Sequence, residues 1–243
     1  MTEVAMPWRR KEVIGDCTLY LGDCARILPL LARADAVVTD PPYGIGASAG
    51  TGKYGKLKFE ATDKGWDGSA IGAPVIAQLL RAADEAIIWG GNYFTLPPSR
   101  AYLVWDKGAG FRGRDFAECE MAWWSRDSNA RVMRYDPLAA GDYRDKLHPT
   151  QKPVAVMDWC LGFIPNARTI LDPFMGSGTT GVSCVKAKRR FIGIEVDDGY
   201  FETACARIRE ACSTPSIFDL PPPARSAGPS WEYSGDIFGG VPE

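Results

Sequence analysis

Short apolar runs bounded by turn residues alternate along this chain with segments of helical period. Thr18–Asp23 (TLYLGD) predicts a strand, and Cys24–Ala32, with Ile27, Leu28 and Leu31, a short helix. Ala34–Asp40 (ADAVVTD) is a second strand, closed by a double proline that no central strand continues through. Val75, Ile76, Leu79 and Leu80 share one face of a helix over Ala73–Ala83. Strands are predicted at Glu85–Gly90, Ala101–Asp106 and Cys119–Ser125, with Arg131–Tyr135 a further candidate. Val154–Ile164 reads as a helix. Thr169–Pro173, a glycine turn at Gly176–Gly178 and a helix to about Lys186 form a strand–turn–helix unit. Phe191–Val196 and Asp198–Cys212 close the pattern with a strand and a helix. Elements alternating at this length predict an α/β fold with a mostly parallel sheet covered on both faces.

Two stretches fall outside the pattern. Residues 44–70 are rich in Gly, Lys, Ser and Thr, and a long structureless insert of this kind is usually functional. Beyond Cys212 the chain is proline- and glycine-rich. The expected organisation is one domain over 1–212, with insert loops around 44–70 and 108–116, and a tail over 213–243.

With 243 residues the chain suffices for one large α/β domain. Its net charge of −2 means that any attraction to nucleic-acid phosphate must come from local Lys and Arg clusters. Seven cysteines without a C-x-x-C pair, and a single histidine, His148, offer no zinc-ligand set at recognised spacings, so no metal is expected. No apolar run approaches the ~20 residues that span a bilayer, and the expectation is a cytoplasmic protein with no membrane partner.

Two motifs carry chemistry. Asp40-Pro41-Pro42-Tyr43 sits at the carboxyl end of a buried strand, where open α/β sheets bind ligands. An exocyclic amino nitrogen on a nucleobase is a poor nucleophile because its lone pair is delocalised into the ring. A carboxylate (Asp40) and a nearby carbonyl (Pro41, whose fixed φ aims it) that accept both amino hydrogens favour the pyramidal, reactive geometry. Tyr43 offers an aromatic face for a base taken out of a duplex. Asp172-Pro173-Phe174-Met175-Gly176-Ser177-Gly178-Thr179-Thr180-Gly181 is the second motif. Its glycines let backbone approach a ligand, and the helix start supplies free N–H donors. Glu195, at the tip of the next strand, is placed to accept ribose hydroxyls. The same glycines also satisfy G-x-G-x-x-G, but an acid at Asp172 would repel a dinucleotide pyrophosphate and tolerate a cofactor bearing ammonium and sulfonium charges.

Together these residues resemble the amino-methyltransferases of DNA, the N6-adenine and N4-cytosine group, in the permuted order of its β subgroup, with DPPY first and the glycine motif last. The resemblance covers roughly residues 16 to 210. It also takes in Gly22-Asp23, Gly90-Gly91-Asn92-Tyr93-Phe94, Trp105-Asp106-Lys107, His148-Pro149-Thr150-Gln151-Lys152-Pro153 and Gly193-Ile194-Glu195 followed by Tyr200. It implies a Rossmann-like S-adenosylmethionine-dependent methyltransferase fold with a seven-stranded sheet. Asp40 and the Pro41 carbonyl would hold the target amino group, with Pro42 shaping the turn and Tyr43 on the base. Asp172, Phe174, Gly176, Ser177, Gly178 and Thr179 would wrap the methionine part of S-adenosylmethionine. Glu195 would bind its ribose, Asp23 its adenine, and Thr150 and Lys152 its carboxylate. Asp at the first tetrapeptide position favours adenine N6 over cytosine N4 in that family, and the transfer is direct and in-line, without a covalent enzyme intermediate.

Double-stranded DNA is the expected partner, and a homodimer is an assembly the resemblance allows. Lys53, Lys56 and Lys58 in the first insert, and Phe111, Arg112 and Arg114 in the second, are the candidate DNA contacts, with Phe111 as a wedge. Only about twenty residues separate Ser125 from His148, where relatives often carry a recognition domain, so a short or loosely specified target is expected. The alternatives are an N4-cytosine enzyme and a non-catalytic DNA-binding protein that keeps the fold.

Overall fold

The computed structural model describes residues 6–44, 71–114, 117–142 and 151–214. The expectations placed on Lys53, Lys56 and Lys58, on His148 and Thr150, and on the tail after residue 214 lie outside the described residues. Nine strands form one sheet: β1 (Trp8–Ile14), β2 (Cys17–Gly22), β3 (Ala34–Thr39), β4 (Ala83–Trp89), β5 (Tyr102–Asp106), β6 (Cys119–Trp124), β7 (Arg131–Arg134), β8 (Thr169–Asp172) and β9 (Arg190–Glu195). Their order across the sheet is β1-β2-β9-β8-β3-β4-β6-β5-β7. The run from β2 to β4 is parallel, β1 is antiparallel to β2, and β6 runs against both β4 and β5. The helices are α1 (Cys24–Ile27), α2 (Ala73–Ala82), α3 (Pro137–Ala140), α4 (Val154–Gly162), α5 (Thr179–Lys186) and α6 (Asp198–Ser213).

The expected α/β class and mostly parallel sheet hold, but the count of seven strands is corrected to nine. The additions are at the margins. β7 pairs with β5 at one edge, and β1 forms a hairpin with β2 at the other through the two-residue turn Gly15-Asp16. Gly15 has φ +54°, a conformation suited to such a turn. β1 escapes apolar patterning because its face toward α6 is polar. Arg10 bonds to Glu12 and Glu202, and Arg209 reaches Glu12 at 3.1 Å.

Within the sheet the side chains alternate between two cores. Leu19, Val38, Ile87, Trp89, Ile170 and Phe191 face α4, α5 and α6. Tyr20, Val37, Ile88, Leu171 and Ile194 face α1 and α2. Central strands buried on both sides are why their sequences read as unbroken apolar runs.

The adjacency of β3 and β8 positions everything that follows. From β3 the chain passes through α2 to β4 on one side, and from β8 through α5 to β9 on the other. A crevice opens where two neighbouring parallel strands send their connections in opposite directions. Asp172, 2% exposed, ties the two strands together there. It accepts Thr39 Oγ1 at 2.7 Å, Thr180 Oγ1 at 2.6 Å and the Phe174 N–H at 3.1 Å, so one carboxylate joins β3, β8 and α5.

Burial pushes the Asp172 carboxyl up to about 6, against the pull of Thr180, Thr39 and the Phe174 N–H. A carboxyl raised in the folded state favours folding below its unfolded pKa and loses that advantage as pH rises through the folded value. The variant Asp172→Asn has no charge to bury. In the ligand-free protein its stability relative to the native chain should therefore climb between about pH 4 and pH 6, by up to about 3 kcal/mol, and then level off. Urea denaturation of both proteins across that range checks this, and a difference independent of pH would contradict it.

Candidate active site

Strands β2, β9, β8 and β3 are parallel neighbours, so their carboxyl tips lie side by side. Those tips carry Asp23, Glu195, Asp172 and Asp40 in that order across the sheet. β4 ends beside them at Gly90, and antiparallel β6 begins there with Glu120. The fold thus gathers the two sequence motifs at one edge.

At the glycine motif, Gly176 and Gly178 have φ +52° and +78°. A side chain on Gly178 would also come within 2.9 Å of Ala204 Cβ, so α6 packs directly on the loop. The Gly176 N–H donates to Glu195 Oε2 at 2.9 Å, while Glu195 Oε1 accepts the N–H groups of Val196 and Asp197, each at 2.8 Å. Burial nevertheless pushes the Glu195 carboxyl up to about 7. Ser177 Oγ meets Gln151 Oε1 at 3.1 Å, which places the start of the 151–153 segment beside the loop. Arg207 on α6 donates to Ser177 O at 2.7 Å, Ser177 Oγ at 2.9 Å and Thr179 Oγ1 at 3.1 Å, clamping the loop. Phe174 is half-buried on the α2 side, and exposed Asp23 caps α1 through the Ala25 N–H at 2.9 Å.

At the tetrapeptide, the Tyr43 hydroxyl donates to Asp40 Oδ1, and Lys152 Nζ lies 2.5 Å from Asp40 Oδ2. Lys152 also pairs with Glu120 Oε2 at 3.0 Å and donates to the Tyr43 hydroxyl at 3.2 Å. Glu120 Oε1 in turn takes Lys107 Nζ at 2.6 Å. Two lysines and two carboxylates therefore balance in a nearly dry site, where an unpaired charge would be costly. Burial pushes the Asp40 carboxyl up while Lys152 pulls it back. Burial likewise disfavours charge on Lys152, but Asp40 and Glu120 hold the ammonium above its ordinary value. Glu120, despite burial, is brought down to about 2 by Lys152 and Lys107. The Lys152 ammonium lies 5.0 Å from the Trp89 ring centroid, where the aromatic face adds to the attraction.

Tyr43 stacks on Tyr93 with centroids 4.9 Å apart and planes 12° apart, and Phe94 closes its edge at 6.1 Å. Gly90, at φ +66°, is the seat of the phenol ring. A Cβ there would lie 2.1 Å from Tyr43 Cε1.

Several expected residues stand apart from this cluster or in changed surroundings. Lys152 is occupied with Asp40 and Glu120 on the tetrapeptide side. Phe111 is 7% exposed, tucked under Lys107 by the 3-10 turn Ala109–Phe111, so its reading as a wedge into DNA is corrected. Arg112 and Arg114 are exposed beyond the carboxyl end of β5, which runs parallel to β4 and so points to the same edge. Glu120 and Arg207 have no place in the sequence motifs, and Tyr93 stands in one without an assigned role. Glu120 and Arg207 are single polar residues without motif spacing, and only the topology brings them to the site.

Comparison with known proteins agrees with this arrangement. The family model described as DNA methylase, of the N6/N4 class, matches residues 104–206. The type II methyltransferase M.ScaI of Streptomyces caespitosus is 26% identical over 252 aligned positions, covering 80% of this chain and 82% of that protein. The type II methyltransferase M2.DpnII of Streptococcus pneumoniae is 45% identical over 62 residues, 25% of this chain and 23% of its own length. Among solved structures, M1.HpyAVI in complex with SAM shares the fold at TM-score 0.51 and 23% identity, covering 79% of this chain and 99% of that one. The cytosine-N4-specific PvuII DNA methyltransferase does so at TM-score 0.52 and 14% identity, covering 82% and 89%.

The tight seat at Gly90 has a measurable consequence. Gly90→Ala should displace the Tyr43 ring and strain the backbone, lowering stability by about 1–3 kcal/mol. Urea denaturation would register the loss, and near-ultraviolet circular dichroism the disrupted Tyr43–Tyr93 stack. An unchanged tyrosine spectrum would count against this packing.

Proposed function

We propose that the chain is a DNA methylase of the N6/N4 class, which it resembles over residues 104–206, and that it moves a methyl group from S-adenosylmethionine to N6 of adenine in double-stranded DNA. The observation that carries the proposal is the adjacency of Asp40 and the glycine loop at the tips of neighbouring strands β3 and β8.

The cofactor side fits a cationic nucleoside. Asp23, Asp172 and Glu195 are acids, which suit an ammonium and a sulfonium and disfavour a phosphate. Gly176 and Gly178 leave backbone room beside them. S-adenosylmethionine would supply an electrophilic methyl carbon on its sulfonium. Glu195 would accept the ribose hydroxyls, Asp23 the adenine amino group, and Ser177, Gly178 and Thr179 would border the amino-acid part, held in shape by Arg207.

Asp40 and the Pro41 carbonyl accept the two hydrogens of the target amino group and free its lone pair for in-line attack. The proton leaves nitrogen after methylation, when it has become acidic. Tyr43 presents its ring to the base. Asp40 at the head of the tetrapeptide supports adenine as the target. The second reading is N4 of cytosine, whose amino group would offer the same two hydrogens to Asp40 and the Pro41 carbonyl. The exposed Arg112 and Arg114 are proposed to hold the DNA backbone at the same edge.

Unmethylated random-sequence DNA incubated with the protein and S-adenosylmethionine, digested to nucleosides and weighed by mass spectrometry, should yield N6-methyladenine. Asp40→Ala should lower the yield by at least about a thousandfold, as expected for loss of transition-state stabilisation. N4-methylcytosine in its place would establish the second reading, and no methylated base would refute both.

Glu195 makes cofactor binding depend on pH. Its carboxyl is raised to about 7, and the ionised form, which accepts at both oxygens, binds a pair of ribose hydroxyls more strongly than the protonated form. Affinity for S-adenosylmethionine should therefore be about tenfold weaker at pH 6 than at pH 8. Calorimetric titration should find the same dependence flattened in Glu195→Gln.

A further inference from the structure

The Tyr43 hydroxyl holds an unusual position between Asp40 and Lys152. It donates to Asp40 Oδ1 and accepts from Lys152 Nζ at 3.2 Å. Lys152, its side chain 3% exposed, is otherwise held by Asp40 Oδ2 at 2.5 Å and Glu120 Oε2 at 3.0 Å. A group that replaces this hydroxyl without stranding a buried partner must present a donor toward Asp40 and, on a nearby atom, an acceptor toward Lys152.

The amidine edge of an amino-base has that pattern. Adenine offers N6–H beside N1, and cytosine N4–H beside N3. On their Watson–Crick edges guanine and thymine carry a ring N–H at the equivalent place, which would point a donor at an ammonium. We infer that the Tyr43 hydroxyl is a stand-in for the amidine edge of the target base, and that Lys152 is a specificity residue that donates to the ring nitrogen while Asp40 takes the amino hydrogen. This rests on the reading of the site as one for a base's amino group, and holds for adenine or cytosine alike.

A chemical reason favours such a donor. The ring nitrogen is the more basic and more nucleophilic atom of the amidine, and it lies next to the amine that must react. A lone pair engaged by Lys152 cannot attack the methyl carbon, so transfer is directed to the amino group. A lone cation at that point would also drain electron density from the amine. Glu120, anchored by Lys107 at 2.6 Å, shares the charge of Lys152 and limits that effect. Among the described residues, the groups acting on Asp40 are Lys152, Glu120 and Tyr43, with Asp172 nearby on β8, and of these Lys152 is the cation.

Substrate atoms test this without disturbing the protein. In a duplex carrying the methylated site, the target adenine is replaced by 1-deazaadenine, which keeps the amino group and lacks N1, or by 7-deazaadenine. The inference expects kcat/KM to fall on the order of a hundredfold for the first and to change only a few-fold for the second. Loss of N1 weakens base pairing and makes extrusion easier, so a fall runs against that trend. Lys152→Met should slow methylation of normal adenine and no longer discriminate against 1-deazaadenine. If the modified base is cytosine, 3-deazacytosine takes the same part. Equal rates for adenine and 1-deazaadenine, or a loss confined to 7-deazaadenine, would overturn the inference and leave the proposed function standing. Absence of methyl transfer to unmodified DNA would overturn the proposed function itself.

Discussion

The carboxylate of Asp172 is the joint on which the site depends. Buried at the switch between β3 and β8, it receives one hydroxyl from each neighbouring element, Thr39 on β3 and Thr180 on α5. Those contacts fix the distance between the tetrapeptide that follows Thr39 and the glycine turn that precedes Thr179. A reaction between two bound molecules gains most from holding them in register, and here a single side chain sets that register. Asp172 thus positions both motifs from within the protein. Both of its oxygens are taken by internal donors.

Around that joint the site divides by charge. On the β8–β9 side, acidic tips gather, and burial drives Asp172 and Glu195 upward. On the β3–β4 side, two carboxylates are matched by two lysines, and the same burial is outweighed at Glu120. The first half keeps unspent acidity for a cationic ligand. The second is internally neutral, and suits an uncharged base.

Much of this was legible along the chain because the central strands are buried on both faces and their tips are marked by acids and prolines. The two motifs follow Ala34–Thr39 and Thr169–Asp172, so their meeting required only that β3 and β8 be neighbours, as the switch-point rule leads one to expect. β1 was not legible by apolar period, since Arg10 and Glu12 fill the side a core residue would occupy. Glu120 was illegible as a site residue for a different reason. It reaches Lys152 only through the antiparallel turn of β6 back along β4 and β5, a non-local pairing with no trace in local spacing. Phe111 misled because an aromatic between arginines looks like a wedge, whereas Lys107 draws its ring inward.

The stand-in role of Tyr43 bears on where binding energy can come from. Exchanging a phenol hydroxyl for an amidine edge trades one donor and one acceptor for another such pair, so the exchange contributes selectivity and little net affinity. Extruding a base from a duplex costs a few kcal/mol, which the pocket must recover by other means. Stacking on the Tyr43 ring, backed by Tyr93, would supply part of it, at about 1–3 kcal/mol per base. The remainder has to come from phosphate contacts, and a chain of net charge −2 can make those only through local clusters. Arg112 and Arg114 are exposed at the edge where Asp40 lies, and on the proposed reading a cluster there would act on the same DNA that presents the base. Affinity and selectivity are on this view assigned to different parts of one sheet edge, the first to exposed arginines and the second to a dry, neutral pair of ions.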